Sequence, residues 1–249
     1  VANVCAGFDV LGFALEGVGD RVTLTLEEGA DGARIDSITG VVRDLPTDPA
    51  KNTASVAALA LLQAEGVRGG LRVSIEKGIA LGSGMGGSAA SAVAAVVAAN
   101  QLLERPLARD ALLPHAVAGE QVASGAAHAD NAAPCLFGGM TAVVSDDPPV
   151  VVPVPVPAEL RCVVVRPHLR LDTREARAAL PESVPLAVHV SQSKRLAGFL
   201  AGCFRTDLEL IGRSMEDLVA EPARSRLIPG YEAAREAARS GGAIGFGIA

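Results

Sequence analysis

The sequence predicts a chain of mixed strand and helix in two halves, organised around a glycine loop in the first half. Three observations lead there. The stretch Ala80-Leu81-Gly82-Ser83-Gly84-Met85-Gly86-Gly87-Ser88-Ala89-Ala90-Ser91 sets four glycines within six positions. An alternating strand precedes it and an alanine-rich helix follows. Composition then changes at Asp146-Asp147-Pro148-Pro149 and through the Pro–Val alternation to Pro157, a pattern unfit for a central strand; an edge strand or linker is expected there, with a domain boundary near residue 150. A length of 249 residues suits one large or two small domains with an ample core.

Taken in order, residues 1–15 carry Asn3 and Asp9 among glycines, where turns form readily. Residues 21–26 alternate with Val22, Leu24 and Leu26 on one face, a half-buried strand, and 33–38 with Gly40 suggest a second strand in a hairpin with it. Asn52-Thr53 caps a helix through Glu65 that Gly66 stops. Residues 71–76 alternate again and lead into the loop, and 89–101 form the helix behind it, with Ser88 placed to cap it. A helix over 109–124, broken or kinked at Pro114, contains Glu120. Residues 137–144 read as a turn into a strand.

In the second half, 161–165 read as a short buried strand. Asp172 or Thr173 caps a short helix that Pro181 ends. Helices are expected over about 187–204, 208–218 and 232–239, and a strand over 243–248.

A glycine loop feeding a helix N-terminus offers unpaired N–H groups and the positive end of the helix dipole, so phosphate is its natural guest. No Lys-Ser or Lys-Thr closes the loop in the Walker manner, and no acidic residue follows at the spacing of a dinucleotide site. A net charge of −6 argues against a nucleic-acid binder. The apolar run at 92–99 is far shorter than the ~20 residues of a membrane span. With no signal or transit segment evident, a cytoplasmic location is expected. Cys5, Cys135, Cys162 and Cys203 are scattered, which suggests reduced, buried thiols and no zinc site.

Gly82-Ser83-Gly84-Met85-Gly86-Gly87-Ser88 resembles the phosphate loop of the GHMP small-molecule kinases, although Ala80 stands where most members have proline and Gly87 where many have serine. Five segments, in order along essentially the whole chain, resemble the homoserine kinase family within that superfamily. They are Asn3 to Gly12, the loop, Glu120 with His128-Ala129-Asp130-Asn131 eight residues on, the Thr173 to Arg177 run, and Glu221 to Tyr231.

The resemblance implies an α+β, two-domain GHMP kinase fold. A ribosomal-S5-like N-terminal domain would cover 1–150 and a ferredoxin-like C-terminal domain 151–249, the latter stopping short of a last glycine-rich motif. It implies transfer of the ATP γ-phosphoryl group to the hydroxyl of L-homoserine, giving O-phospho-L-homoserine on the way to threonine. By the same resemblance, Ser88 and Glu120 hold Mg²⁺, and Gly82, Ser83, Gly84, Met85, Gly86, Gly87 and Ser88 hold the nucleotide phosphates. Asn52 sits on the adenine side, unless it serves only as a helix cap. Asn3, Asp9, His128, Arg177 and Arg224 seat the substrate, with Arg226 as the alternative to Arg224 should the register slip. Asn131 lies beside the transferring group, with Arg177 reaching both substrate and γ-phosphate. An amide is a poor base, so direct attack is expected, with Asp130 as the nearest carboxylate otherwise. Another GHMP kinase, or an inactive nucleotide-binding module, is the alternative. A homodimer is compatible with the sequence.

Overall fold

The computed structural model describes residues 1–249 apart from 126–127, 170 and 172 and the side chains of 124, 173 and 174. The chain opens with the paired strands β1 (Ala2–Asn3) and β2 (Gly7–Phe13), then β3 (Arg21–Glu27) and β4 (Ala33–Gly40). Helix α1 (Thr53–Ala64), strand β5 (Gly70–Lys77), and helices α2 (Gly87–Asn100), α3 (Arg109–Ser124) and α4 (Ala132–Phe137) follow. Strands β6 (Met140–Asp146) and β7 (Pro149–Val154) complete the strand set. Thereafter the described residues form the helices α5 (Thr173–Ala178), α6 (Leu186–Arg205), α7 (Leu208–Ser214), α8 (Glu221–Arg224) and α9 (Tyr231–Ser240).

Two sheets result. In the first, the order is β3-β5-β4, with β3 antiparallel and β4 parallel to β5. The hairpin expected between 21–26 and 33–38 therefore does not form. The reason lies in burial: β5 encloses Leu71, Val73 and Ile75, whereas β3 and β4 show solvent one face, so the most apolar strand takes the centre. In the second sheet the order is β1-β2-β6-β7, all antiparallel. Strand β7, with Pro149 and Pro153, takes an edge, where a residue without an N–H is tolerated. The boundary expected near residue 150 falls within the β6–β7 hairpin.

Helices α1, α2 and α3 cover the first sheet with a core of small residues, including Ala54, Ala57, Ala58, Ala92, Ala95 and Ala116. Small side chains let helix axes approach. Gly119 shows how closely, because a Cβ there would lie 2.6 Å from the Thr53 carbonyl of α1. That approach sets the position of the next residue, Glu120. The second core joins both halves: Leu11, Met140, Ala142 and Val154 of the second sheet pack on Phe199, Cys203 and Ile211 of α6 and α7.

Several expectations need correction. Helix α3 runs unbroken through Pro114. Residues 161–165 form no strand, and Val163 and Val165 are exposed. Residues 243–248 likewise form no strand. Neither stretch is paired in a described sheet, and a local apolar pattern alone does not supply the hydrogen-bonded partner that a strand needs. The helix expected to Leu218 ends at Ser214. Cys5 and Cys203 are buried, but Cys135 and Cys162 are exposed. The cap expected at Asp172 or Thr173 falls on Asp172 and on the Thr173 side chain, outside the described residues. No described helix is long and apolar enough to cross a membrane.

Candidate active site

The glycine loop joins β5 to α2. Gly82, Gly84 and Gly86 have φ values of +60°, +72° and +65°, so alternate residues sit in the left-handed region that glycine enters at little cost. Such alternation curls a backbone into an anion-binding concavity. Gly86 is the N-cap of α2 and supplies no side-chain bond, which leaves the N–H groups of the first helical turn to a ligand. The expected Ser88 cap is not made. Ser88 lies inside the helix, and its hydroxyl donates instead to Glu120 Oε2 at 3.2 Å. The Ser83 hydroxyl accepts from the Met85 N–H at 3.4 Å. On the far side, the Ala249 carbonyl faces the Cα of Gly84.

Glu120 is buried on α3. Burial pushes its carboxyl up to about 7; the charge of Asp130 adds to this, while the Ser88 hydrogen bond and Lys77 oppose it. Asp130 is also buried and is held up to about 6, by burial first and then by Asp9, against His128 and Arg177. Asn131 caps α4 without a side-chain bond to it. Its Oδ1 is buried with no hydrogen-bond partner among the described residues, and it presses on Gly86 so closely that a methyl group there would collide with it.

The first motif folds as a tight reversal between β1 and β2. Asn3, Val4 and Cys5 all take positive φ, as does Asp9 at +56°. These are left-handed conformations that cost non-glycine residues about 1 kcal/mol or more each. The Asn3 amide oxygen accepts the Asp9 N–H at 3.3 Å. Asp9 receives a two-pronged ion pair from Arg177 at 2.8 and 3.1 Å, and His128 Nε2 lies 3.9 Å from the same carboxylate. Arg224 is buried, donates through Nε to the Ala176 carbonyl at 3.3 Å and stacks over Phe8 at 4.7 Å. Arg177 lies over the same ring at 5.9 Å. Burial, then the Arg177 charge, hold the Arg224 guanidinium below its ordinary value. Arg226 is exposed, whereas Arg224 is the arginine of this run that packs beside Phe8.

Asn52 behaves as the cap of α1. Its oxygen accepts the Ala54 N–H at 3.1 Å and its nitrogen donates to the Pro46 carbonyl at 2.9 Å. Each polar end thus makes one bond within the chain, and Asn52 serves as the helix cap.

Sequence reasoning missed the residues that hold these parts in place. Gln192 of α6 donates to the Ala6 carbonyl at 3.0 Å and accepts the Leu218 N–H at 2.8 Å, tying the first motif to the approach to α8. Asp217 accepts the N–H groups of Val219, Ala220 and Glu221, fixing the start of the helix that carries Arg224. Lys77 and Asp20 form an enclosed ion pair beneath the glycine loop. None stands in a motif; the partners of Gln192 and of the Lys77–Asp20 pair are remote in sequence, and those of Asp217 are the next few backbone N–H groups.

A glycine loop opening a helix, with a Ser–Glu pair behind it, defines a phosphate-handling site of the GHMP kind, and residues 52–139 match the family model of the GHMP kinases N terminal domain. The chain is 44% identical over 258 aligned residues to a homoserine kinase of Chlorobium phaeobacteroides, covering all of this chain and 81% of that one. It is 44% identical over 248 to one of Xanthomonas campestris, covering all of this chain and 76% of that one. The crystal structure of homoserine kinase from Cytophaga hutchinsonii superposes with a TM-score of 0.91 at 47% identity, covering 98% of this chain and 78% of that one. The chain belongs to the homoserine kinase family of GHMP kinases.

Proposed function

We infer that this chain transfers the γ-phosphoryl group of ATP to the hydroxyl of L-homoserine, giving O-phospho-L-homoserine and ADP. The observation that carries the reading is the meeting of two chemistries. A glycine cradle with Ser88, Glu120 and Asn131 adjoins a cluster of opposite charges, Asp9 against Arg177 and Arg224. A zwitterionic amino acid needs a carboxylate for its ammonium group and a guanidinium for its carboxylate. A neutral polyol or a substrate with a lone carboxylate would have no use for Asp9.

The residues present fit Mg²⁺. Ser88 and Glu120 offer hard oxygen donors in mutual contact, and no described group of three His, Cys, Asp or Glu side chains could hold a metal alone. Magnesium characteristically takes one or two protein oxygens and completes its shell with water and phosphate. When bound, it supplies neutralisation of phosphate charge.

The remaining work is positioning. Loop amides of Gly82 to Ser88 hold the phosphates. Arg224 holds the carboxylate of homoserine, and Asp9, with Asn3 and His128 beside it, holds the ammonium group. That ammonium group competes with Arg177 for Asp9, so seating it turns the Arg177 guanidinium toward the transferring phosphoryl group. The homoserine hydroxyl oxygen forms a bond to the γ-phosphorus as the bond to the β–γ bridging oxygen breaks; its proton passes to the phosphoryl oxygens or water. Asn131, whose Oδ1 has no hydrogen-bond partner among the described residues, orients the hydroxyl. Phosphorus NMR of the chain incubated with MgATP and L-homoserine tests the reading: a new phosphomonoester signal growing with that of ADP is expected, and ATP left intact would refute it.

A further inference from the structure

Beneath the loop lies a charged pair that the chemistry above does not use. Lys77 ends β5 with its side chain 3% exposed, and the Asp20 side chain is fully enclosed at 0%. The lysine contacts Asp20 Oδ2 and donates to the Gly87 carbonyl at 2.6 Å and the Ser91 hydroxyl at 3.0 Å. That accounts for all three of its donors, so it is not aimed at a ligand. Asp20 Oδ1 accepts the N–H groups of Gly78 at 3.0 Å and Ile79 at 3.2 Å, and Oδ2 accepts the Ser91 hydroxyl at 2.6 Å.

These bonds grip the loop at both ends. Gly78 and Ile79 are where it leaves β5; Gly87 and Ser91 are where it enters α2. A buried ion pair is a poor source of stability, because desolvation of the two charges offsets most of their attraction. Its value lies in geometry: two opposite charges bonded to each other and to four further partners, Gly78, Ile79, Gly87 and Ser91, tolerate little displacement. We propose that Lys77 and Asp20, bridged by Ser91, are positioning residues that set the width of the phosphate loop and thereby the affinity for the nucleotide. The proposal rests on the kinase reading above. It separates the two substrates, since the pair touches the loop and none of the residues grouped around Asp9 and Arg224.

The test compares wild type with the double variant Asp20→Asn/Lys77→Met, which removes both charges together, and with the milder Ser91→Ala. MgADP affinity is measured by calorimetry, KM for ATP and for homoserine by turnover, and folding by thermal melting. In the double variant, KM for ATP and the MgADP Kd are expected to rise about tenfold or more, with KM for homoserine unchanged within about twofold. Ser91→Ala is expected to move the same two constants in the same direction by about threefold, and it decides the matter if the double variant does not fold. Lys77→Arg, keeping the charge, is expected to recover part of the loss. Nucleotide affinity unchanged in Ser91→Ala, or ATP and homoserine constants rising together as the melting temperature falls, would overturn the proposal. A wild type that binds no MgADP would instead overturn the kinase reading itself.

Discussion

A carboxyl group that burial holds up to about 7 is protonated in about half of the molecules in neutral solution, and a bound cation would displace that proton. If Glu120 holds Mg²⁺ as proposed, metal binding and protonation compete there. Glu120 and Asp130 both bind protons more tightly folded than unfolded. Between their unfolded values of 4.5 and 3.8 and their folded values of about 7 and about 6, the native state carries the extra protons, so stability falls as pH rises. Without metal, denaturant unfolding should show a loss on the order of 4 kcal/mol between about pH 5 and about pH 8, the larger part of it from Glu120. Glu120→Gln should flatten that slope; a variant slope equal to that of wild type would contradict the cause given. The same variant should lower turnover by about 100-fold or more and abolish most of the Mg²⁺ dependence, as a magnesium titration of the rate would reveal. Arg224→Ala should raise KM for homoserine by about 100-fold, the scale for losing one partner of a buried charge pair, and spare KM for ATP. Equal effects on both substrates would count against its role.

At the scale of single elements, a close constraint falls on the loop-to-α2 junction. Gly86 is left-handed at φ +65° and has the Asn131 amide pressed against it. In Gly86→Ala the backbone strain costs about 1 kcal/mol, and the new methyl group displaces Asn131. Melting and turnover measured together should show activity falling much further than stability. A variant that melts lower yet turns over normally would mean that Asn131 needs no fixed place. Elements such as β5 and α2 were legible in the sequence because alternating Leu71, Val73 and Ile75, then a run of alanines, leave little doubt about their period. The same reasoning failed at 161–165 and 243–248. There a short apolar run and a Gly-rich alternating one are present, but a strand also needs a hydrogen-bonded partner, which no local pattern reports. The β3–β4 hairpin failed for a related reason: proximity in sequence favoured it, and the more apolar β5 took the place between.

Across the whole molecule, the site is assembled from segments far apart in sequence; Asp9 and Arg177 are separated by 168 residues. Their convergence was legible through resemblance to a family, since each side chain alone is an ordinary surface or turn residue. Lys77, Asp20, Gln192 and Asp217 lay outside every motif and emerged only with the fold. The second core, with Leu11 on one side and Phe199 on the other, holds the two groups of motifs together. This assembly phosphorylates an amino-acid hydroxyl. The most direct test is ADP release by the chain with MgATP and, in parallel, L-homoserine, mevalonate, galactose or no acceptor. Release that depends on L-homoserine alone is the predicted result; equal release with every acceptor and with none, or release driven by mevalonate or galactose, would contradict it.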